Sequence, residues 1–166
     1  MKVMVGGTFD PLHDGHKVLL NRSFEIAGHH GHVVIGLTTD HFASRKTHPI
    51  RTFEIRKSEL EHYIRDQNFP TPFNVEPLQD RFGSALDADF EAIIVSEETL
   101  PVAVEINKLR RENGRKKVDI HQISCVLAED GRWISSTRIF LGEIDVHGHL
   151  MHRRPRVQGP SYFLLL

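Results

Sequence analysis

Two histidines that stand three residues apart, His13 and His16, follow a glycine-rich turn near the start of the chain. The turn contains Gly6 and Gly7 and comes after an apolar run that predicts a β-strand, so the histidines fall where a helix would begin. Residues at positions i and i+3 share one face of a helix. Backbone N–H groups at a helix N-terminus bind anions, and glycines let an anion approach closely. The pattern therefore predicts a phosphate site with two imidazoles directed at it.

A second group of polar residues, Ser135, Ser136 and Thr137, precedes another helical pattern near the other end of the chain. Ser and Thr are favoured at helix N-caps because their oxygens accept hydrogen bonds from free N–H groups. A hydroxyl-rich helix start can also donate hydrogen bonds to phosphate oxygens. Alone this group would indicate only a capped helix, but together with the first motif it indicates a second phosphate-binding element.

The elements that must position these motifs alternate along the chain. Short apolar runs predict β-strands, and the amphipathic stretches between them predict helices. Strands are expected at 3–5, 33–37, 73–77, 92–95 and 118–126, helices at 14–28, 52–67 and 98–113, and a loop at 41–51. Apolar strands that alternate with helices indicate a parallel sheet covered on both faces. We therefore expect an α/β, doubly wound, Rossmann-like five-stranded parallel sheet with helices on both faces and the ligand at the carboxyl ends of its strands.

The composition argues against several classes of protein. The 166 residues suit one domain, and a formal net charge of −1 gives no overall basicity for nucleic acid. No apolar run approaches the length of a membrane span, so we expect no membrane segment. The one cysteine, Cys125, cannot form an intramolecular disulfide and indicates the reducing cytoplasm. Its apolar neighbours predict a buried strand residue.

Histidine is abundant, with 12 residues, and it is grouped at 29–32 and at 147–152. Neither group has the cysteine or acidic partners expected of a dedicated metal site. We therefore expect solvent-facing loop histidines there and no protein-built metal centre.

The chain is expected to form one domain over residues 1–148, followed by a C-terminal tail over residues 149–166. The tail is basic from Arg153 to Arg156 and then apolar from Tyr162 to Leu166. The pattern leaves open whether the tail docks on the surface of the domain or on another subunit.

Several blocks of the sequence, taken together, match one family. They read VGGTFD (5–10), LHDGHK (12–17), IGLTTD (35–40), VSEET (95–99), EINKLR (105–110), EDG (129–131) and ISSTRI (134–139). These blocks resemble the archaeal type of phosphopantetheine adenylyltransferase, a branch of the HxGH nucleotidyltransferase superfamily. The first and last blocks mark the superfamily, whereas the VSEET block and the helix after it resemble the narrower family.

The resemblance implies transfer of AMP from ATP to 4′-phosphopantetheine, which gives dephospho-coenzyme A and pyrophosphate. Positioning and electrostatics carry such reactions, so no protein nucleophile is needed. The resemblance assigns the α-phosphate to His16, the attacking phosphate to Thr8, and both phosphates to Lys46. The residues that it implies for ATP binding are Gly6, Gly7, Thr8, Phe9, His13, His16, Ser135, Ser136 and Thr137. Mg²⁺ is expected to come with ATP and to keep most of its waters.

The chain departs from the bacterial enzymes after the fourth strand. Those carry an Arg-Gly segment whose arginine contacts phosphates, whereas this chain has Ser-Glu-Glu-Thr at 96–99. Another cation must do that work, or the transition state is less fully neutralised. We hold Glu97 and Asn107 as secondary candidates for nucleotide or pantetheine, and Arg56 and Arg110 for phosphate. Both arginines lie on predicted helices, where an exposed charged face is the usual arrangement.

Three other functions remain open from the residues alone. An adenylyltransferase for another phosphate, such as nicotinamide mononucleotide, would use the same two motifs. A cytidylyltransferase for an alcohol phosphate is less favoured, because that branch carries Arg-Thr-x-Gly where this chain has Asp130-Gly131-Arg132-Trp133. The third is a non-catalytic nucleotide-binding protein of the same fold. The intact set of Thr8, His13, His16 and Lys46 argues against it.

Overall fold

Five parallel strands form the centre of the molecule, in a computed structural model that describes residues 1–151. The strands are β1 (Lys2–Gly7), β2 (His32–Thr38), β3 (Phe73–Leu78), β4 (Ala92–Val95) and β5 (Asp119–Gln122). The helices are α1 (Asp14–Ala27), α2 (Asp40–Ala43), α3 (Phe53–Asp66), α4 (Leu100–Glu112) and α5 (Ser136–Phe140). The strand order is β3-β2-β1-β4-β5, and each neighbouring pair is parallel. The predicted five-stranded parallel sheet is confirmed.

Helices cover both faces of this sheet. Successive residues of a strand point to opposite faces, so neighbouring residues of β1 pack against different helices. On one face, Val3 of β1 belongs to a core cluster with Phe24 of α1 and Leu60 of α3. On the other face, Met4 of β1 belongs to a second cluster with Ile106 of α4. The doubly wound arrangement is therefore confirmed, and it leaves the carboxyl ends of the strands free to bind a ligand.

The last strand is shorter than predicted, and it ends at Gln122 instead of continuing to residue 126. It pairs with β4, and β4 ends at Val95, whose carbonyl accepts the backbone N–H of Ile123 at 2.8 Å. Beyond that point the chain leaves the sheet. Cys125 consequently lies half-buried in an irregular segment, so its prediction as a buried strand residue was wrong.

The segment predicted as a loop over 41–51 begins with the single turn of α2. Thr39 caps this turn, since its Oγ1 accepts the backbone N–H of Phe42 at 3.2 Å. So short a helix has no apolar repeat to reveal it, and the loop prediction was wrong for residues 41–43.

The segment after β5 folds around a small cluster of its own that contains Ile134 and Ile144. Its backbone contacts continue to Met151, whose N–H donates to the carbonyl of Glu143 at 3.0 Å. The boundary at residue 148 stays a prediction, since most of the predicted tail, at 152–166, lies outside the described residues. Across residues 1–151, none of the helices combines the length and hydropathy needed to cross a membrane.

Asn107, on the buried side of α4, joins that helix to the chain that leads into β5. Its side-chain NH₂ donates to the carbonyl of Val118 at 2.9 Å, and its Oδ1 accepts the N–H of Val118 at 2.8 Å. The side chain therefore acts as an extra peptide group beside the strand. Asn107, a secondary candidate for ligand binding, thus stabilises the fold through these two hydrogen bonds.

Arg110, one turn later, is also buried, with 3% exposure. Its guanidinium donates to the carbonyls of Ala85, Ala88 and Lys116, each at 2.8 Å. The expected exposed helix face was wrong for this residue, because the fold turns these unpaired carbonyls toward α4 and a guanidinium can satisfy all of them. Burial lowers the pKa of Arg110.

Replacement of Asn107 by Ala should lower the free energy of unfolding by about 2–4 kcal/mol, since two buried backbone groups lose their partners. Urea denaturation measures the change, and Lys108→Ala, on the exposed side of the same helix, is the matched control. An Asn107→Ala protein as stable as the control, but with weakened ATP binding, would return Asn107 to the list of ligand contacts.

Candidate active site

The segments that carry the two predicted motifs are in contact with each other. The backbone N–H of Asp14, at the start of α1, donates to the carbonyl of Val146 at 3.0 Å, and the Asp14 carboxylate lies 3.0 Å from Nδ1 of His147. The rings of His48 and Phe140 stack with their centroids 5.1 Å apart. These contacts join α1 and the loop after α2 to the segment that carries α5. The site is therefore built from both ends of the described chain.

His13 and His16 form a reciprocal cap at the first turn of α1. Nδ1 of His13 accepts the backbone N–H groups of Gly15 and His16 at 3.1 and 3.3 Å. In return, Nδ1 of His16 accepts the backbone N–H of His13 at 3.3 Å. The two rings stack, with centroids 3.7 Å apart and planes at 16°. This arrangement is a capping box in which imidazoles replace the usual Ser and Glu.

The cap determines the tautomer of both histidines. A ring nitrogen that accepts an N–H cannot carry a proton, so the proton of each neutral imidazole is on Nε2. Burial lowers the pKa of His13 to about 4, and burial together with the neighbouring His13 ring holds the pKa of His16 well below its usual range. Both rings are thus neutral at physiological pH. Each keeps one Nε2–H donor that a phosphate oxygen can use.

Thr8 follows the last residue of β1, and its hydroxyl is held from the neighbouring strand. Oγ1 of Thr38, the last residue of β2, lies 3.0 Å from Oγ1 of Thr8. The guanidinium of Arg56 on α3 donates to the Thr8 carbonyl at 3.1 Å and to Oγ1 of Thr38 at 3.2 Å. Arg56 is fully buried, so the expected exposed helix face was wrong for this residue too.

A cavity of about 430 Å³ begins beside Thr8 and extends along the α4 face of the sheet. Its lining combines polar residues, such as Thr8 and Lys46, with apolar side chains such as Leu78 and Ile106. Such a mixed lining suits a ligand that has both a charged group and apolar parts.

Lys46 shares the wall of this cavity with Arg45 and Arg81. Arg81 forms an ion pair with Glu105 at 3.0 Å. The positive charge of Lys46 contributes to the lowered pKa of His16, so the lysine lies within electrostatic range of that ring. Lys46 therefore lines the cavity and lies near the histidine pair.

The start of α5 presents the hydroxyls of the second motif. Oγ of Ser135 caps the helix by accepting the backbone N–H of Arg138 at 3.2 Å, while Ser136 and Thr137 occupy its first turn. Arg138 in turn pairs with Asp130 and with Glu143, the latter at 2.9 Å. The hydrogen bonds from Arg138 lower the pKa of Asp130 to about 2. The arginine thus ties the helix to the turn before it.

Two other predicted site residues have contacts within the protein. Phe9 is buried, with 2% exposure, and its ring lies 5.1 Å from that of His16. Its backbone φ of +50° is unusual for a bulky residue. Glu97 accepts the backbone N–H of Cys125 at 3.0 Å. Thr38 and Arg138 were not among the predicted site residues. Thr38 comes directly after an expected strand, and this position was a signal that could have identified it.

Within residues 1–151, no group of three or more His, Cys, Asp or Glu side chains is placed to hold a metal ion. His147 and His149 are exposed, as expected, and each pairs with one aspartate, Asp14 and Asp145 respectively. His152 of the same group lies outside the described residues.

Comparison with known proteins identifies the family of this chain. The model of the cytidylyltransferase-like family matches residues 4–140. The phosphopantetheine adenylyltransferase of Methanosarcina mazei is 49% identical over 150 residues, which are 90% of this chain and 96% of that protein. The chain belongs to the phosphopantetheine adenylyltransferase family. Two further relatives of the same name are those of Methanothermobacter thermautotrophicus and Archaeoglobus fulgidus, which are 46% and 38% identical over 91% of this chain and over 90% and 100% of their own lengths.

Solved structures of related proteins have the same fold. A protein of unknown function from Archaeoglobus fulgidus aligns with a TM-score of 0.68 and 34% identity, over 74% of this chain and 89% of that one. A lipopolysaccharide core biosynthesis protein from Thermoplasma volcanium aligns with a TM-score of 0.58 over 75% of this chain and 96% of its own, but at 21% identity it supports the fold alone. The resemblance found in the sequence blocks is confirmed.

Stability should decrease on acidification because of the capping histidine. The pKa of His13 is about 4 in the folded protein and 6.5 ordinarily, so between these values the unfolded chain binds a proton that the folded chain does not. The free energy of unfolding therefore falls as pH drops through this window, by about 2 kcal/mol between pH 6.5 and pH 5 from His13 alone. Above about pH 6.5 this contribution is fully present.

His13→Asn isolates the effect, since asparagine caps helices well and does not titrate. Urea denaturation of both proteins at about pH 7 and about pH 5 should give a smaller acid-induced loss in the variant. The His13 ring also helps to lower the pKa of His16, so its removal relaxes that shift, and the measured difference belongs to the stacked pair. Equal losses in the two proteins would contradict the assignment to His13.

Proposed function

We propose that this protein transfers AMP from ATP to 4′-phosphopantetheine, which yields dephospho-coenzyme A and pyrophosphate in the biosynthesis of coenzyme A. The observation that carries the proposal is the largely apolar cavity of about 430 Å³ that begins at Thr8 and Lys46. Phosphopantetheine is a long chain with methyl and methylene groups, two amides and a hydroxyl, and it carries a phosphate at one end. The mixed polar and apolar lining of the cavity suits those groups. The relatives that share this activity in their names match almost the whole described chain.

ATP is proposed to lie between the starts of α1 and α5. His13 and the backbone of Gly6, Gly7, Thr8 and Phe9 would bind its phosphates near α1. The hydroxyls of Ser135, Ser136 and Thr137 would bind the β- and γ-phosphates. Phe9 contributes only its backbone in this arrangement, because its ring is buried. Ser135 likewise uses Oγ as the helix cap, so its hydroxyl hydrogen remains available as a donor.

The transfer itself needs alignment and charge stabilisation. An oxygen of the acceptor phosphate attacks the α-phosphorus, the bond from that phosphorus to the bridging oxygen breaks, and pyrophosphate leaves with its electron pair. Nε2–H of His16 would donate to an oxygen of the α-phosphate as charge builds there. Lys46 would offset the repulsion between the two phosphates, and Thr8 would orient the attacking one.

Mg²⁺ is proposed to arrive with ATP, since nucleotidyltransferases act on the metal complex of the nucleotide. Mg²⁺ often keeps several waters and is held through substrate phosphates instead of an all-protein cage. The lack of a three-ligand cluster within residues 1–151 is compatible with that mode. The bound ion would supply neutralisation of the β- and γ-phosphates. We further propose a cytoplasmic location, in keeping with the lone Cys125.

The decisive experiment measures pyrophosphate release from ATP and Mg²⁺ with three separate acceptors: 4′-phosphopantetheine, nicotinamide mononucleotide and glycerol 3-phosphate. Release with phosphopantetheine alone, with dephospho-coenzyme A as the product, is the expected result. Release with another acceptor would be consistent with the proposed site but would overturn the proposed substrate. ATP binding without release from any acceptor would favour a non-catalytic nucleotide-binding protein.

His16→Ala should lower kcat by at least about a thousandfold, because it removes the donor aimed at the charge that develops on the α-phosphate. ATP affinity, measured by calorimetry, should change far less. His30→Ala, in an exposed loop, is the matched histidine control and should retain full turnover. An unchanged kcat with weakened ATP binding would place His16 among the ground-state contacts.

A further inference from the structure

The guanidinium of Arg56 is fully buried and held in one orientation. Nε donates to the carbonyl of Arg51 at 2.7 Å, and Nη2 donates to Oδ1 of Asp40 at 3.2 Å. Both hydrogens of Nη1 are taken, one by the Thr8 carbonyl and one by Oγ1 of Thr38. A guanidinium has five N–H donors, so four are engaged inside the protein. Because Arg56 is fully buried and held in this way, it cannot contact a phosphate directly. The sequence alone had made it a candidate for such a contact.

These contacts fix the direction of a short chain of hydroxyl groups. An arginine only donates, so Oγ1 of Thr38 must accept from Nη1 of Arg56. The hydrogen of Thr38 is then directed to Oγ1 of Thr8, 3.0 Å away. Because Thr8 accepts that hydrogen bond, its own hydroxyl hydrogen is left to point elsewhere. Thr8 lines the cavity, so that hydrogen is available to a ligand inside it.

The positive charge of Arg56, at the start of this series of hydroxyl groups, is only partly balanced by its acidic partner. The carboxylate paired with Arg56 belongs to Asp40, whose side chain is 62% exposed and therefore well solvated. Water screens an exposed carboxylate more than it screens the buried cation, so positive potential persists on the inner side, toward Thr8. A cation that donates to one hydroxyl polarises the next in the chain and strengthens it as a donor.

We propose that Arg56 is a positioning residue that acts through Thr38 to aim and strengthen the Thr8 hydroxyl as a donor to the acceptor phosphate. The inference rests on the proposed transfer reaction. It also gives this chain a buried cation behind the reacting phosphates, in a protein that lacks the arginine of the bacterial segment at 96–99.

A matched pair of substitutions at Thr38 tests the relay. Thr38→Val keeps the shape and removes the hydroxyl, whereas Thr38→Ser keeps the hydroxyl and removes a methyl group. The relay predicts that the Val variant loses about tenfold in kcat, which corresponds to about 1.4 kcal/mol, and that the Ser variant is close to wild type. The KM for ATP should be unchanged in both. If Thr38 only fills space, the order reverses and Ser is the poorer enzyme.

Two further variants separate the relay from a loss of stability. In a Thr8→Val background the Thr38→Val change should no longer lower kcat, because the hydroxyl that it serves is gone. Thr71→Val is the control, since Thr71 is an equally buried threonine whose hydroxyl donates to the carbonyl of Gly28 at 2.7 Å. That variant should lose stability but keep its kcat. A Thr38→Val effect that persists in the Thr8→Val background would overturn the relay.

The outcomes distinguish this inference from the proposed function. If the wild-type protein releases pyrophosphate with an acceptor other than phosphopantetheine, the substrate proposal fails, and the same Thr38 series with that acceptor still decides the relay. If it transfers to phosphopantetheine and Val equals or exceeds Ser, the relay alone is wrong. If no acceptor supports release, both proposals are overturned together.

Discussion

The first turn of a helix has backbone N–H groups without partners inside the helix, and at α1 three nearby N–H groups are accepted by imidazole nitrogens. One consequence is structural, because the helix begins at a defined residue. The other is chemical, because a nitrogen used as an acceptor must be unprotonated and its ring must carry the proton on the far nitrogen. Burial favours the same neutral state. The anion binding proposed for this helix start would thus rely on two Nε2–H donors and a helix dipole instead of on full positive charges.

Around that cap, the sheet places polar binding groups and an apolar binding surface in different positions. The carboxyl edge gathers N–H groups, hydroxyls and Lys46, all of which suit phosphate oxygens. The α4 face below it offers an apolar cavity of about 430 Å³. A ligand that needs both must lie across this edge, with its charged group beside Thr8. Parallel pairing of β1 with β2 makes this possible, since Gly7 lies opposite Leu37 and the next residues, Thr8 and Thr38, emerge side by side.

Much of the fold could be read from the sequence because apolar periodicity is a local signal. The runs around Val33–Leu37 and 92–95, and the face of the helix after His13, were recognisable for that reason. The burial of Arg56, Asn107 and Arg110 could not be predicted from the sequence. Each is a polar residue that satisfies backbone groups left unpaired by the tertiary fold, and those groups are identified only when the elements are packed. The same holds for Thr38, whose partner across the sheet depends on strand register.

The contact of Asp14 with His147 joins residues that are 133 positions apart. A contact of such high sequence separation costs chain entropy, because a long loop must close before the contact is gained. During synthesis, the first motif leaves the ribosome long before the segment that completes its surroundings. A chain that ends before Val146 therefore lacks the partners of Asp14, and the start of α1 is left open on that side. The surroundings of the first motif are thus complete only when the last part of the described chain is in place.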